Sequence, residues 1–346
     1  MSAYLDTRVS LYASRLWPDA ALETLIGMPD SAVADALSRH GLPQLAMGYA
    51  RQSGEERPRS LELRIIARIL DETRVLIRPL YGDARTFLGF WTARFEMSNV
   101  KTLLRSKMTG ERPAAILARL IPMGTFGRLD HQDLAHAEDV GELLRRLEAG
   151  PYVDIVRRAR RAFEQSHDPF SLDAALDHGY YEGLVQRARP LEDTLGASFR
   201  SLMANLIDRI NLVWLLRYRF NYRLPPAQVY YLLVASHYTL SGTRLRELAA
   251  LDSPAAVLAA LPGAWQPRLS EARDIPAVFA HMEHAAAEQA VRVLRSRAPD
   301  IARAFAYLIL RERDLRAVRA VLRGRHLGLP DDDIRLALQR TPAGTS

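Results

Sequence analysis

The chain contains no cysteine among its 346 residues. This absence excludes disulfides, thiolate metal sites and thiol nucleophiles, and it is typical of a cytosolic protein. No stretch approaches the roughly 18 uninterrupted apolar residues of a membrane span, and VYYLLVASHYTL at 229–240 is too short and too polar. The first residues, MSAYLDTRVSLYASRLW, do not have the pattern of a signal peptide. We therefore predict a soluble protein.

The sequence also lacks the short motifs of common catalytic sites. It has no GxxxxGK[ST], GxGxxG, HExxH or GxSxG pattern. HMEHAAAE would place His281, His284 and Glu288 on one helical stripe, a spacing that a metal can use, but no fourth ligand is suggested. His131 and His136 are spaced poorly for a shared helical face. We predict no catalytic site, no cofactor and no metal.

Lysine is almost absent. Of 47 basic residues, only Lys101 and Lys107 are lysines, and the formal net charge is +7. A basic surface can bind nucleic acid, an anionic membrane or an acidic protein, so the charge does not choose among these partners.

Helical patterns fill most of the sequence. β-Branched residues are sparse, whereas Ala, Leu and Arg, which favour helices, dominate. Asp252-Ser253-Pro254 predicts a capped helix start, and acidic residues 331–333 after Pro330 predict another. Pro299-Asp300 opens a segment that would extend about 36 Å as one helix. The predicted fold class is all-α.

One phrase occurs three times, about 110 residues apart, as NVKTLLRSKMTG (99–110), NLVWLLRYRFNY (211–222) and AVRAVLRGRHLG (317–328). We align the copies on Arg105, Arg217 and Arg323 and number positions from that arginine as zero. Positions −15, −5, −2 and −1 are apolar in every copy, which gives each helix one apolar face.

An acid and an asparagine recur on that face. Position −9 is acidic in every copy (Glu96, Asp208 and Asp314), and position −6 is Asn99, Asn211 and then Ala317. Burying an unpaired carboxylate costs several kcal/mol, so each acid needs partners. The acids either belong to a buried polar network within each domain, or their face lines an internal cavity that receives a partner.

A pair of basic residues recurs at positions zero and +2. The pairs are Arg105 and Lys107, Arg217 and Arg219, and Arg323 and Arg325. Gly110, Gly324 and Gly328 mark the predicted helix ends, where cations complement the helix dipole. The alternative is a basic ring that binds a partner.

A looser pattern accompanies the phrase and suggests domains. Leu134, Val140 and Leu144 match Leu251, Val257 and Leu261, and Ile26-Gly27 with Val33 and Leu37 form a weaker third copy. A unit of about 110 residues can hold its own core. We predict three similar helical domains with approximate ranges 1–112, 113–224 and 225–346.

The closing stretch AYLILRERDLRAVRAVLRGRHLGLPDDDIR (306–335) and FEMSNVKTLLRSKMTG (95–110) resemble the characteristic phrases of the C subunit of the prokaryotic V/A-type rotary ATPases, the counterpart of the d subunit in the eukaryotic vacuolar enzyme. YLDTRVSLYASRL (4–16), LDAALDHGYYEGL (172–184) and DRINLVWLLRYR (208–219) fit the same family in order and spacing. The resemblance spans nearly the whole chain.

The resemblance implies three similar helical domains in a pseudo-threefold funnel, without a catalytic site or a membrane span. It implies a central-stalk subunit, present in one copy, on the cytoplasmic face of the proteolipid ring. The funnel would receive the central shaft and transmit torque between ATP hydrolysis or synthesis and proton or sodium transport. Membrane contact would be indirect, through the ring, and no nucleic acid is expected.

Two other functional classes stay open from the residues alone. A basic helical scaffold that binds nucleic acid, or another acidic partner, would bind more weakly as salt rises, although no base-stacking aromatic platform is evident. An enzyme would need a cleft with convergent perturbed acids, which the sequence does not exclude.

Overall fold

The computed structural model describes residues 2–51, 57–166 and 168–340 of the chain. Every regular element within these ranges is a helix, which confirms the all-α prediction. None of the helices described is both long enough and apolar enough to cross a membrane.

The described residues form nineteen α-helices, a 3₁₀ turn at Gly124–Phe126 and a π-helical turn at Arg217–Asn221. The α-helices are α1 (Ser2–Ala13), α2 (Asp19–Ile26), α3 (Asp30–Arg39), α4 (Pro43–Arg51), α5 (Arg57–Ile77), α6 (Gly82–Trp91), α7 (Ala93–Met108), α8 (Pro113–Leu117), α9 (His131–Ala135), α10 (Val140–Glu148), α11 (Val153–Ser166), α12 (Pro169–Leu216), α13 (Pro226–Leu232), α14 (Gly242–Ala249), α15 (Pro254–Ala259), α16 (Trp265–Leu269), α17 (Ile275–Arg295), α18 (Asp300–His326) and α19 (Asp331–Arg340).

Each copy of the repeated phrase ends the second of two consecutive long helices. The pairs are α5 followed by α6–α7, the two halves of α12, and α17 followed by α18. α12 divides at Gly196, whose φ of +67° lies in the left-handed region that favours glycine. We call α6–α7, residues 197–216 of α12, and α18 the repeat helices.

Three phenylalanines join the repeat helices in the core. Phe87, Phe199 and Phe305 all occupy position −18 of the alignment and are fully buried. Their ring centroids are separated by 5.1 Å, 5.0 Å and 5.8 Å, within the range of favourable aromatic pairs. Equivalent residues from the three copies therefore meet around one point, which we call the phenylalanine triad.

The N-terminal short helices pack against the last repeat helix. One hydrophobic core joins Trp17, Ile26 and Leu37 to Leu315 and Leu322 of α18. This core connects the first and the third of the predicted domain ranges. The borders at 1–112, 113–224 and 225–346 stay a prediction, and the packing shows that segments distant in sequence complete one unit.

Most of the helix ends predicted from the sequence coincide with helix ends in the structure. Ser253 caps α15 with Pro254 in its first turn, and three aspartates open α19. Gly110 and Gly328 follow α7 and α18 with φ of +69° and +65°. Gly324, expected at a helix boundary, instead lies within α18, where a Cβ atom would approach Ile334 Cγ1 to 2.6 Å. Its role is to let α19 pack closely.

Candidate functional site

The three repeat helices, together with α5 and α17, line an open central cavity of about 870 Å³. Positions −11 to +4 of the alignment contribute to its wall, whereas the phenylalanine triad lies at −18. At 1.5 Å per residue, position zero is about 27 Å along the helix from the triad. The repeat helices contribute Arg94, Ser98, Asn99, Lys101, Thr102, Arg105, Arg209, Ile210, Val213, Trp214, Glu312, Leu315, Arg316 and Arg319, and Arg217 follows residues 197–216.

The central cavity carries an excess of positive charge. Its lining includes eight basic residues (Arg94, Lys101, Arg105, Arg119, Arg209, Arg217, Arg316 and Arg319) and four acidic residues (Glu62, Glu111, Asp177 and Glu312). Several pairs join different helices, with Arg94 2.9 Å from Glu312, Lys101 2.5 Å from Asp177 and Arg319 2.6 Å from Glu62. Arg217 has no carboxylate within 4.0 Å among the described residues.

Buried arginine donors face this region without acceptors. Arg94 Nε, Arg119 Nε, Arg209 Nε and Arg316 Nη1 are buried and lack a hydrogen-bond acceptor among the described residues. Arg209 is 9% exposed, and burial lowers the pKa of its guanidinium. Buried donors without acceptors are destabilising.

The acids at position −9 bind backbone amides. Glu96 accepts hydrogen bonds from Leu129 N (2.9 Å) and Tyr152 Oη (2.6 Å), Asp208 accepts one from Leu240 N (3.0 Å), and Asp314 accepts one from Trp17 N (2.8 Å). All three acids are buried. Each amide belongs to a residue two positions before a short helix, namely α9, α14 or α2. The three acids therefore hold equivalent helix starts.

Burial changes the proton affinity of two of these acids. Desolvation raises the pKa of Asp208 to about 6, although hydrogen bonds from the Leu240 amide and the Thr239 side chain oppose the shift. Desolvation raises the pKa of Asp314 to about 7, against the hydrogen bond from the Trp17 amide and the nearby charge of Arg311.

The two asparagines at position −6 act alike. Asn99 Nδ2 donates to Ile121 O (2.9 Å), and its Oδ1 accepts from Ile121 N (2.7 Å). Asn211 makes the same two bonds to Val234, at 3.0 Å and 2.8 Å. Each side-chain amide thus satisfies both the N–H and the C=O group of one backbone residue. The alanine at position 317 in the third copy cannot form these hydrogen bonds.

The basic residues at position +2 hold the other end of the same short helices. Lys107 Nζ donates to Ala135 O of α9 (2.7 Å), Arg219 Nε to Ala249 O of α14 (3.1 Å), and Arg325 Nη1 to Ile26 O of α2 (2.6 Å). A cation at a helix carboxyl end is favourable. The acid at −9 and the base at +2 thus form a clamp on one short helix in each copy.

The arginines at position zero are placed differently from the clamps. Arg105 and Arg217 line the central cavity, and Arg105, half-exposed, pairs with Asp173. Arg323 is exposed near the end of α18.

Several charged and aromatic residues that line the cavity were not among the predicted site residues. Arg94, Trp214, Arg316 and Arg319 lie at positions −11, −3, −7 and −4, outside the positions that recur in the alignment of the three copies. Their type differs between copies, so comparing the copies hides them. The usable signal was their position outside the apolar arc of each helix.

The histidine stripe lies on α17. His284 Nε2 lies 3.2 Å from Glu288 Oε1, one turn along α17. Within the described ranges, no group of three or more His, Cys, Asp or Glu side chains could hold a metal ion.

Comparison with known proteins identifies the family. Residues 5–336 match the model of the ATP synthase (C/AC39) subunit family. The chain is similar to the C subunit of the A-type ATP synthase of Methanocaldococcus jannaschii (22% identity over 97% of this chain and 86% of the relative) and to that of Archaeoglobus fulgidus (22% over 96% and 94%). It is also similar to the C subunit of the V-type ATP synthase of Deinococcus radiodurans (26% over 60% and 58%).

These matches confirm the family that the repeated phrases resemble. They run in order through the whole repeat system, from α1 to α19. The chain belongs to the ATP synthase (C/AC39) subunit family and is a non-catalytic subunit of a rotary A/V-type ATPase complex.

Proposed function

We propose that this subunit is the socket of the central stalk, in which the central cavity receives one end of the shaft. The observation that carries the proposal is that three equivalent helices, joined at the phenylalanine triad, all line one open cavity of about 870 Å³. The three copies then form a pseudo-threefold funnel. One copy of the subunit occupies the rotation axis and rests on the proteolipid ring at the cytoplasmic face of the membrane.

A socket that transmits torque must resist deformation, and the fold supplies cross-links between its helices. Arg311 of α18 binds Glu72 of α5 through Nε and Nη2, at 3.1 Å and 3.2 Å, and Tyr307 Oη donates to the same carboxylate at 2.6 Å. Salt bridges also join different helices of the cavity wall, such as the one between Arg94 and Glu312. Such contacts let rotation of the shaft pass to the ring, or rotation of the ring to the shaft.

The charge of the cavity favours an acidic shaft end. The cavity lining has eight basic and four acidic residues, and Arg217 has no ion pair within the described structure. Complementary charge speeds association and fixes the orientation of docking. Carboxylates of the shaft would accept hydrogen bonds from the more accessible guanidinium groups of Arg105 and Arg217.

The test is to isolate the complex through a tag on this chain and identify the co-purifying proteins by mass spectrometry. The unmodified chain should retain the shaft subunits, the proteolipid and an ATP-hydrolysing head, with one copy of itself. Arg217→Glu should lose the shaft subunits more readily as salt rises, because it places a carboxylate in the docking surface.

The matched control is Arg161→Glu, which makes the same charge change on the exposed face of α11. It should retain the shaft. Equal retention by both variants at every salt concentration would contradict the socket. A free chain beside an intact ATPase in the same membranes would also contradict it, and would favour the nucleic-acid alternative, tested by salt-dependent binding.

A further inference from the structure

A second cavity, of about 950 Å³, lies away from the central one. The end of α5, α6, the 3₁₀ turn and α12 surround it. Five arginines line it (Arg74, Arg78, Arg85, Arg128 and Arg187), and no aspartate or glutamate is among its described lining residues. We call it the arginine pocket.

This composition differs from that of two other cavities formed by the described residues. The central cavity has four acidic residues in its wall, and a third cavity beside α17 includes Asp19, Glu23, Glu283 and Asp314. Arg209 and Arg316, by contrast, share the carboxylate of Glu283. In the arginine pocket, like charges converge without such a bridge.

Several guanidinium groups of the pocket are held in place by neutral groups. Arg85 Nη1 donates to Ile77 O (3.1 Å), and Arg187 Nη1 donates to Gly183 O (2.9 Å). The Arg187 guanidinium also lies 3.9 Å from the centroid of the Phe90 ring. These contacts fix position and leave the positive charge uncompensated, because a carbonyl or an aromatic ring carries no net charge.

Of two carboxylates near the pocket, one pairs with the pocket residue Arg74 and the other binds neutral groups. Asp71 pairs with Arg74 at 3.1 Å, and both groups are about half-exposed. Glu96 lies behind the Tyr152 ring, fully buried, and binds the Tyr152 hydroxyl and the backbone amides of Arg128 and Leu129. Burial lowers the pKa of Arg187, and the charge of Arg128 lowers it further. The charged pocket is therefore electrostatically unfavourable without an anion.

We infer that the arginine pocket binds a phosphate-bearing anion, held by Arg78, Arg128 and Arg187. Arginine presents paired N–H donors that match the oxygens of a phosphate group, and the cavity volume lies within the range of small-molecule sites. The phosphates can belong to a soluble anion or to the headgroup of a lipid. This site is distinct from the proposed socket and does not depend on it.

The test uses the full-length chain and two probes. Inorganic triphosphate is titrated calorimetrically at low salt, and co-sedimentation is measured with vesicles of phosphatidylglycerol and, separately, of phosphatidylcholine. The matched variants are Arg78→Glu/Arg128→Glu in the pocket and Arg39→Glu/Arg161→Glu on exposed helix faces elsewhere, which change the net charge equally. Circular dichroism and the Tm of each variant verify folding, and Arg128→Gln serves if the double variant unfolds.

We expect one triphosphate per chain and a rise in Tm, with affinity lowered about tenfold for each charge-assisted contact removed. The control variant should bind within about twofold of the unmodified chain, since distant exposed charges are screened. Triphosphate binding without vesicle binding identifies a soluble anion. Binding to phosphatidylglycerol but not phosphatidylcholine vesicles, weakened by the pocket variant, identifies a lipid headgroup. Absence of binding to both probes, or equal losses in the two double variants, would overturn the inference.

Discussion

The first two repeat copies close locally, whereas the third closes across the whole chain. Glu96 and Asp208 clamp the amides of Leu129 and Leu240, which lie 33 and 32 residues downstream. Asp314 makes the same bond to Trp17, at a sequence separation of 297 residues. The repeat is thus cyclically permuted, with the N-terminal helices α2–α4 completing the unit that α18 begins.

The same motif therefore has two structural roles. Local closure stabilises one unit, but the third closure ties the two ends of the chain into a ring. Closing the longer loop costs roughly 2 kcal/mol more in chain entropy. The third copy also has a buried ion pair, Glu72 with Arg311. The equivalent positions in the other copies, Ala93 and Asn205, offer no cation.

The largest expected effect comes from breaking that ion pair. Arg311→Ala should lower the free energy of unfolding by about 3–5 kcal/mol, because it leaves the Glu72 carboxylate buried, with Tyr307 and Arg68 as its remaining partners. The measurement is urea denaturation followed by circular dichroism. As a control, Glu72→Leu/Arg311→Leu should lose less than the single variant, and a larger loss would argue against a compensated pair.

Removing the position −9 acids one at a time should distinguish the unit that closes locally from the unit that closes through the N-terminal helices. Asp208→Ala and Asp314→Ala should each cost about 1–3 kcal/mol, because a buried amide loses its acceptor. Hydrogen exchange followed by mass spectrometry should show faster exchange near Leu240 in the first variant. In the second, it should show faster exchange throughout α2 and α3. Equal exchange changes at both places in both variants would refute separate clamps.

The two acids should also respond to pH. Their pKa is raised from 3.8 to about 6 for Asp208 and about 7 for Asp314, so the folded chain holds these protons more tightly than the unfolded chain. Their stabilising contribution is present below pH 3.8 and is lost as pH rises through 6 and 7.

The matched measurement compares the unmodified chain with Asp208→Asn and Asp314→Asn from pH 4 to pH 8. The difference in unfolding free energy should change by up to about 1.4 kcal/mol per pH unit, over the wider range for Asp314. Titration of the histidines cancels in this difference. A difference independent of pH would show that burial does not raise these pKa values.

The smallest effects should come from the basic ends of the clamps. Lys107→Ala and Arg219→Ala should each cost about 0.3–1 kcal/mol, since each removes one cation from a helix carboxyl end. Arg325→Ala should cost more, because Arg325 also pairs with Asp30 at 2.7 Å and bonds to the carbonyls of Leu25 and Ile26. Thermal denaturation of the three variants would show this order. Equal shifts in Tm would contradict it.

Much of the fold follows from local sequence. Ser253-Pro254 and the aspartates at 331–333 start helices because capping and dipole effects depend on neighbouring residues. The acids at −9 lie buried with partners, as their place on an apolar face requires. Which amides they bind was not predictable, since Trp17 and Asp314 are brought together only by tertiary packing.

The candidate site was predicted less completely than the fold. Asn99, Arg105 and Arg217 were identified by recurrence and do line the central cavity. Trp214 and Arg316 were missed because the lining residues differ between the three copies. Gly324 was misread as a helix end because its packing against Ile334 depends on a distant helix.

The most direct test of the socket is photocrosslinking within the assembled complex. The photoreactive residue p-benzoylphenylalanine replaces Trp214, which lines the central cavity, or Tyr231, which is 78% exposed on α13. If the socket receives the shaft, position 214 should crosslink to a shaft subunit and position 231 should not. Crosslinks from position 214 solely within this chain, while the shaft is present and the complex hydrolyses ATP, would contradict it.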